Sequence, residues 1–172
     1  AQKFNNDFGV EEFLKVPEPL IQEEFSRIMS LKDGSKKMSK SELSDLSRIN
    51  LTDDKDQIIN KIKKAKTDPL PMPKDIKEVE GRLEAQNLLG IFASLSNSTL
   101  ENSIDKFAGK NFSEFKKELS ELLVDKIIPI SEEINKLLQD QSHLDSILLD
   151  GVEKAEKIAS KKIKNIKEIV GF

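Results

Sequence analysis

Several residue types that often carry chemistry are missing from this 172-residue sequence. It contains no cysteine, no tryptophan and no tyrosine, and its one histidine is His143. Without cysteine there can be no disulfide framework and no thiolate metal site. His143 follows Ser142 at a predicted helix start, and no second histidine is present to complete a metal site. We therefore expect an ordinary first-turn histidine and no metal ligands in this chain.

Glycine, proline and long apolar runs are also scarce. The chain has seven glycines and six prolines, with 34% charged and 37% hydrophobic residues, a balance that favours helices over turn-rich sheets. No apolar run approaches the roughly 20 residues that a membrane span requires, and no signal-peptide pattern opens the chain. These features predict a soluble, mostly helical, cytoplasmic protein without a membrane partner. The net charge of −3 argues against a uniformly basic surface, so any RNA contact would need a local patch.

The first forty residues lack a regular period. Residues 1–9 look like the end of a helix, with Gly9 as its C-terminal stop. Two short extended segments are expected next, one at Phe13, Leu14 and Val16 and one over residues 28–31. We expect this region to be the least stable part of the chain, because such strands have few partners.

Beyond residue 50, apolar residues recur with the helical period of 3.6. The first helix is expected to be capped by Thr52 or Asp53, and the proline-rich stretch 69–73 cannot be helical. Further helices are predicted from about residue 80, from a capping box at Ser98, through residues 115–138 with a kink or restart at a proline, and from about residue 142 to 170. That proline is Pro129, and the predicted inward residues are Ile58, Ile59, Ile62, Ala65, Leu88, Ile91, Phe92, Leu95, Leu100, Ile104, Phe107, Phe115, Leu119, Leu122, Leu123, Ile127, Ile130, Ile134, Leu137, Leu138, Leu144, Ile147, Leu148, Val152, Ala155, Ile158, Ala159, Ile163 and Ile166. Such stripes predict a mainly α fold, built as a helical bundle.

Most polar candidates in the helical region have a structural interpretation. Asn87 lies among apolar residues, so we expect a buried amide whose hydrogen bonds are satisfied. The carboxylate pairs Asp53-Asp54 and Glu132-Glu133 are interpreted as exposed helix features rather than as an acid/base pair. The final helix carries a lysine cluster that could follow RNA phosphates, although interleaved glutamates favour a solvated helix face. The lysines are Lys154, Lys157, Lys161, Lys162, Lys164 and Lys167.

A short basic loop is the strongest chemical signal. Residues 37–41 read Lys-Met-Ser-Lys-Ser, with Lys37 and Lys40 three residues apart and the hydroxyls of Ser39 and Ser41 beside them. Flexible ammonium groups can follow the charge of a bound triphosphate. From the residues alone, a solvated basic turn remains an alternative, since glycine, serine and lysine are also typical of surface loops.

The loop and its flanks resemble the C-terminal half of tryptophanyl-tRNA synthetases of the bacterial and mitochondrial type, which are class I aminoacyl-tRNA synthetases. The pentapeptide matches the KMSKS signature of that class. Other matching segments follow in the family's order and span essentially the whole chain. They are 26–33, Lys66-Thr67-Asp68, 81–89, Ile128-Pro129-Ile130 and 147–155. Glu42 and Leu83 stand where the family often has aspartate and proline.

The resemblance implies a fold and a set of ligands. Residues 1–45 would be the end of a Rossmann-like catalytic domain that carries the KMSKS loop (36–41), and residues 46–172 an all-α tRNA anticodon-binding domain. The implied substrates and cofactors are ATP with Mg²⁺, L-tryptophan and tRNA(Trp). The implied catalytic residues are Lys37 and Lys40, and the implied nucleotide-binding residues are Ile28, Lys37, Met38, Ser39, Lys40 and Ser41.

The resemblance also implies what this stretch of sequence lacks. The tryptophan pocket and the HIGH-type motif lie upstream in the family, so we interpret the chain as a fragment and expect no adenylation by it alone. A homodimer is implied for the full-length enzyme, and a monomeric fragment is compatible with that. Two alternatives stay open at this stage, a stand-alone helical RNA-binding module without catalysis and a purely structural helical protein.

Overall fold

A computed structural model describes residues 1–20 and 26–172. Two compact units are present, one formed by Ala1–Ile21 with Leu137–Phe172 and the other by Gln22–Lys136. The predicted mainly α fold is confirmed, with one small antiparallel sheet. The elements are α1 (Gln2–Asp7), β1 (Met29–Ser30), β2 (Asp33–Lys37), a 3-10 turn (Asp45–Ser47), α2 (Lys55–Lys64), α3 (Ile76–Val79), α4 (Leu83–Ser96), α5 (Leu100–Phe107), α6 (Phe112–Gln139) and α7 (Gln141–Val170).

The core of the second unit is made by α2, α4, α5 and the first half of α6. Three phenylalanines meet at its centre, where the ring centroids of Phe107 lie 4.9 Å from Phe92 and 4.8 Å from Phe115, both edge to face. Ile58 and Ile62 of α2 are fully buried in the same core. Ile59, which was predicted to face inward with them, is 38% exposed, because it lies beyond the narrow buried face of a ten-residue helix.

Helix starts differ from the predicted positions by one to three residues. The cap of α2 is Asp54, which forms a capping box with Gln57, and neither Thr52 nor Asp53 caps it. The cap of α5 is Thr99 rather than Ser98. The α4 helix begins at Leu83 instead of about residue 80, since Gly81 has a positive φ of 79° that interrupts the helical path after α3.

The α6 helix passes through Pro129 without restarting, contrary to one of the two outcomes predicted for that proline. Proline removes one backbone donor and leaves a carbonyl one turn earlier unpaired. Here that carbonyl belongs to Asp125, and both Asp125 and Pro129 are exposed. Water can therefore replace the missing hydrogen bond, and the helix continues.

The first unit combines α1, the turn after it and α7. Gly9 has a φ of 63° just after α1, which confirms the predicted stop. The predicted extended segment at Phe13, Leu14 and Val16 is wrong, since no strand forms there and the chain makes a turn at residues 11–12 that continues as a bend through Phe13 and Leu14. The side chain of Asn5 holds that turn by bonding both the amide (2.9 Å) and the carbonyl (2.8 Å) of Leu14.

No residue of α7 is buried. Its apolar stripe was predicted to face a bundle core, and this part of the prediction is wrong, with Val152 57% and Ile158 76% exposed. The physical reason is that its unit offers a six-residue helix and a turn against a helix of 30 residues. Among the described residues, no helix combines the length and the apolar character needed to cross a bilayer.

Candidate functional site

A hairpin presents the basic loop. Strands β1 and β2 pair antiparallel, with Met29 opposite Lys37 and Ser30 opposite Asp33. One residue further, the amide of Met38 donates to the carbonyl of Ile28 at 3.0 Å. The loop therefore leaves the hairpin from a defined point at the end of β2.

The side chain of Asp33 makes hydrogen bonds within the first residues of β2, directly after the turn of the hairpin. Its carboxylate accepts hydrogen bonds from the hydroxyl (2.6 Å) and the amide (3.0 Å) of Ser35. These two bonds hold the pKa of Asp33 below its usual value, so the carboxylate stays ionised. The ammonium of Lys36 lies 3.6 Å from the same carboxylate. Among the described residues, Lys36 is therefore paired with a carboxylate, whereas Lys37 and Lys40 have no such pair.

Lys37, the last residue of β2, and Lys40, on the loop after it, are both exposed. In the described part of the chain, neither ammonium group takes part in an ion pair. The hydroxyls of Ser39 and Ser41 lie 3.0 Å apart, and the amide of Ser41 points to the hydroxyl of Ser39 at 3.4 Å. Lys37 and the loop thus offer an anionic ligand two ammonium groups that no described carboxylate pairs with, and two hydroxyls.

Ile28 and Met38 are brought together at the base of the loop. Both are half-buried and pack against the core of the second unit. Ile28 also lines a groove of about 600 Å³ between the hairpin and the start of α4, whose wall includes Met29, Gly34 and Leu83. The structure therefore places an apolar surface next to the basic loop, although the role predicted for each of these residues stays a prediction.

Asn87 of α4 binds the hairpin from the side. Its Oδ1 accepts from the amide of Met29 at 2.8 Å, and its Nδ2 donates to the carbonyl of Met29 at 2.9 Å. Asn87 is 8% exposed and both halves of its amide are paired. The predicted structural role is confirmed, but sequence reasoning did not identify the partner, which lies 58 residues away.

Two ion pairs join the segment after α2 to the start of α4, and sequence reasoning missed both. Lys66 lies 2.8 Å from Glu84, and this bond holds the pKa of Glu84 below its usual range. Arg82 makes two parallel bonds to Asp68 at 2.8 and 2.9 Å. Burial alone would raise the pKa of Asp68, but bonds from Arg82 and from backbone amides outweigh it and lower the pKa.

The same region touches the hairpin directly. The amide of Lys66 donates to the carbonyl of Leu31 at 2.7 Å. Gly34 of β2 lies so close to α4 that an added Cβ would be 2.8 Å from the carbonyl carbon of Leu83. The sequence signal for this contact was Gly34 itself, between Asp33 and Ser35, and a glycine in that position is equally typical of a turn.

The adjacent carboxylates Asp53 and Asp54 have different roles, which corrects their interpretation as an exposed pair. Asp53 is 3% exposed and accepts from the buried ammonium of Lys61 at 2.6 Å. Lys61 also lies 2.6 Å from Asp45, whose pKa it lowers together with Asn50. Asp54 is exposed and caps α2. Through Lys61, these contacts stabilise residues 45–53, the segment between the basic loop and α2.

The lysine cluster of α7 is exposed, with two exceptions to a simple solvated face. Lys154 pairs with Asp150 one turn earlier at 2.5 Å. Lys162 donates to the carbonyl of Phe13, and its ammonium lies 3.7 Å from the centre of the Phe13 ring.

His143 lies in the first turn of α7, where its backbone amide donates to Asp140 at 3.0 Å. Within the described residues, no three His, Cys, Asp or Glu side chains gather where they could hold a metal ion.

Comparison with known proteins gives one consistent result. The family model for class I tRNA synthetases (W and Y) matches residues 1–127. The chain is 50% identical over 172 residues to the tryptophan–tRNA ligase of Caulobacter vibrioides and 46% identical over 190 residues to that of Agrobacterium fabrum. All of this chain is covered in both cases, against 50% and 54% of those proteins. The chain thus spans about half the length of the curated relatives it matches.

Two solved structures extend the comparison to the fold. The tryptophanyl-tRNA synthetase of Mycoplasma pneumoniae superposes with a TM-score of 0.81 at 23% identity, which is a likeness of fold. That of Campylobacter jejuni, complexed with ADP and tryptophan, gives 0.67 at 28% identity. Each covers all of this chain, and this chain covers 51% of each.

Proposed function

The chain belongs to the class I tRNA synthetases of the tryptophan and tyrosine group, and from that premise we propose that it forms the C-terminal half of a tryptophan–tRNA ligase. The resemblance to tryptophanyl-tRNA synthetases is confirmed by relatives that are 43–50% identical and carry that name. The whole enzyme would activate tryptophan with ATP and then load it onto tRNA(Trp) in the cytoplasm.

The observation that carries this proposal is the exposed pair of lysines at the end of β2 and on the loop after it, neither of which is ion-paired in the described part of the chain. Lys37 and Lys40 are exposed and lie beside two hydroxyls, while Lys36 is paired with Asp33. An ammonium about 4 Å from a phosphate oxygen contributes roughly 4 kcal/mol at an effective dielectric constant near 20. Two such groups suit a triphosphate, and the apolar pair Ile28 and Met38 at the loop's base suits the face of an adenine ring.

The proposed reaction has two steps. A carboxylate oxygen of tryptophan attacks the α-phosphorus of ATP, and the bond from that phosphorus to the bridging oxygen breaks, so pyrophosphate leaves. A ribose hydroxyl at the end of tRNA then attacks the activated carbonyl, and AMP leaves. Lys37 and Lys40 would stabilise the negative charge that builds up on the phosphoryl group and on pyrophosphate. Mg²⁺ would share this task while bound to the phosphates, since no described cluster of the chain would hold it.

The remaining parts of the proposal concern partners. The helices beyond residue 46 would bind the anticodon arm of tRNA, with exposed lysines of α7 as candidate phosphate contacts. The full-length enzyme would be a homodimer. This chain alone would lack adenylation activity, because the tryptophan pocket would be supplied by the half that its relatives have and it does not.

Tryptophan-dependent ATP–pyrophosphate exchange tests the proposal in a protein of the relatives' full length that contains this chain. Lys40→Ala should lower the rate by about 10²-fold or more, the loss expected when one partner of a developing charge is removed. Lys36→Ala is the matched control, since it removes a neighbouring lysine that is paired with Asp33, and its rate should stay near wild type. An unchanged rate in Lys40→Ala would refute the role of the loop and leave a helical RNA-binding module as the remaining function.

A further inference from the structure

We propose that Asn87 is a positioning residue for the nucleotide site, acting through the backbone of Met29. This inference rests on the proposed function. The side-chain amide of Asn87 would fix the base of the hairpin, and through it the placement of Ile28 and Lys37.

The side-chain amide of Asn87 matches the hydrogen-bonding groups at the edge of β1. In an antiparallel strand, the N–H and C=O of one residue point to the same side. Ile28 uses its carbonyl toward β2, where it accepts from Met38, so Met29 directs its two groups to the open side of β1. The amide of Asn87 meets both groups at 2.8 and 2.9 Å. It therefore pairs with this edge as a neighbouring strand would, at an edge where the described residues provide no third strand.

The side chain of Asn87 is also held rigidly. Asn87 is 8% exposed, and its neighbours Leu88 and Leu89 are 1% and 0% exposed in the core of the same unit. A side chain held on such a helix has few alternative rotamers. The paired bonds with Met29 also leave neither half of the amide free to rotate toward another partner.

The path from Met29 to the candidate ligands is short. Met29 lies directly opposite Lys37 in the sheet and is joined covalently to Ile28. A displacement of Met29 therefore moves both the phosphate-binding and the adenine-binding ends of the site together. Misplacement of about 1 Å in a reacting geometry can cost about 10²-fold in rate. Lys40 lies further along the loop, outside the sheet, and its exposed side chain can follow the phosphates.

The experiment is steady-state pyrophosphate exchange on the full-length protein with ATP and tryptophan varied separately. Asn87→Ala removes both bonds, and Asn87→Asp keeps the shape but cannot donate to Met29 at neutral pH. We expect kcat/KM for ATP to fall by about tenfold or more in both variants, with KM for tryptophan within about twofold of wild type. Leu123→Ala is the control, because it removes a core side chain of α6 that is 4% exposed and has no part in the hairpin.

A second readout does not depend on activity. Amide hydrogen exchange of residues 28–38 should become faster in Asn87→Ala than in Leu123→Ala, because the two bonds to Met29 are lost. The inference is overturned if folded Asn87 variants keep the wild-type kcat/KM for ATP. It is also overturned if KM for tryptophan changes by more than about twofold, or if the loss of kcat/KM for ATP matches that of Leu123→Ala, since the role would then be general stability. An inactive wild-type protein would instead refute the proposed function, and this inference with it.

Discussion

Replacing Asp53 with alanine should strongly destabilise the unit that carries the basic loop. Asp53 and Lys61 are 4% and 3% exposed at their side chains and lie 2.6 Å apart. Removing one partner of a buried pair costs about 3–5 kcal/mol, because the other charge is left without compensation. Lys61 keeps a second partner, Asp45, at 2.6 Å, but that carboxylate is 53% exposed and partly screened. We therefore expect a loss near the lower end, about 3 kcal/mol.

The neighbouring residue provides a matched control. Asp54→Ala removes the same side chain one position later, where it only caps α2. Loss of an N-cap typically costs about 1 kcal/mol. Urea unfolding followed by circular dichroism at the helix minimum gives both values in the 172-residue chain. Hydrogen exchange of the α2 amides assigns the effect to the second unit, since the chain has two units that need not unfold together.

A double-mutant cycle separates the pair from other effects of Asp53. This carboxylate also accepts from the amide (2.8 Å) and the side chain (3.1 Å) of Asn50. Combining Asp53→Ala with Lys61→Met removes both charges, so the double variant should be less destabilised than the sum of the singles. A loss in Asp53→Ala no larger than in Asp54→Ala, with simple additivity in the cycle, would refute the reasoning and mean that water reaches Lys61.

Two further predictions concern the contacts around α4. Gly34→Ala should lower the free energy of unfolding in urea by about 1–3 kcal/mol, because the added Cβ would lie 2.8 Å from the backbone of Leu83. Gly151→Ala is the control. It lies in open space within α7, so its free energy of unfolding should stay the same or rise. The pKa of Asp68 is lowered in the folded state through Arg82, so its contribution is present above its unfolded pKa of about 4 and lost as the pH falls through the lowered value. Urea unfolding between about pH 3 and 7 should therefore show a decline on the acid side that is shallower in Asp68→Asn, and equal slopes would contradict this assignment.

The sequence predicted the elements of this fold better than their ends. Helical periodicity identified α2, α4, α5 and α6 because burial there follows the 3.6-residue repeat, but it missed α3, whose four residues are too few to show a period. Their caps were misplaced because several residues with cap chemistry stand side by side, as in Thr52, Asp53 and Asp54. Asp53 does not cap the helix because its carboxylate binds the ammonium of Lys61, eight residues later. Periodicity carries no information about that contact.

The last helix shows the opposite failure. Its apolar stripe has the spacing of a buried face, yet α7 has no buried residue. Spacing reports which side of a helix is apolar, but burial requires an equally large partner surface. The first unit of this chain does not contain one, and the relatives are about twice as long as this chain. A pattern can therefore be correct about the helix and wrong about its environment.

The basic loop could be predicted from the sequence, whereas the residues that support it could not. Five adjacent letters identify the candidate phosphate-binding residues, because a loop needs no distant partner to present its lysines. The supports come from other segments. Leu31 is bonded by Lys66, Met29 by Asn87, and Gly34 packs on the start of α4. These supports belong to the same segments, 66–68 and 81–89, that carried the resemblance in the sequence. Their role in holding the hairpin gives a physical reason for those segments to occur together with the loop, and the supports at Asn87 and Gly34 can each be changed without touching Lys37 or Lys40.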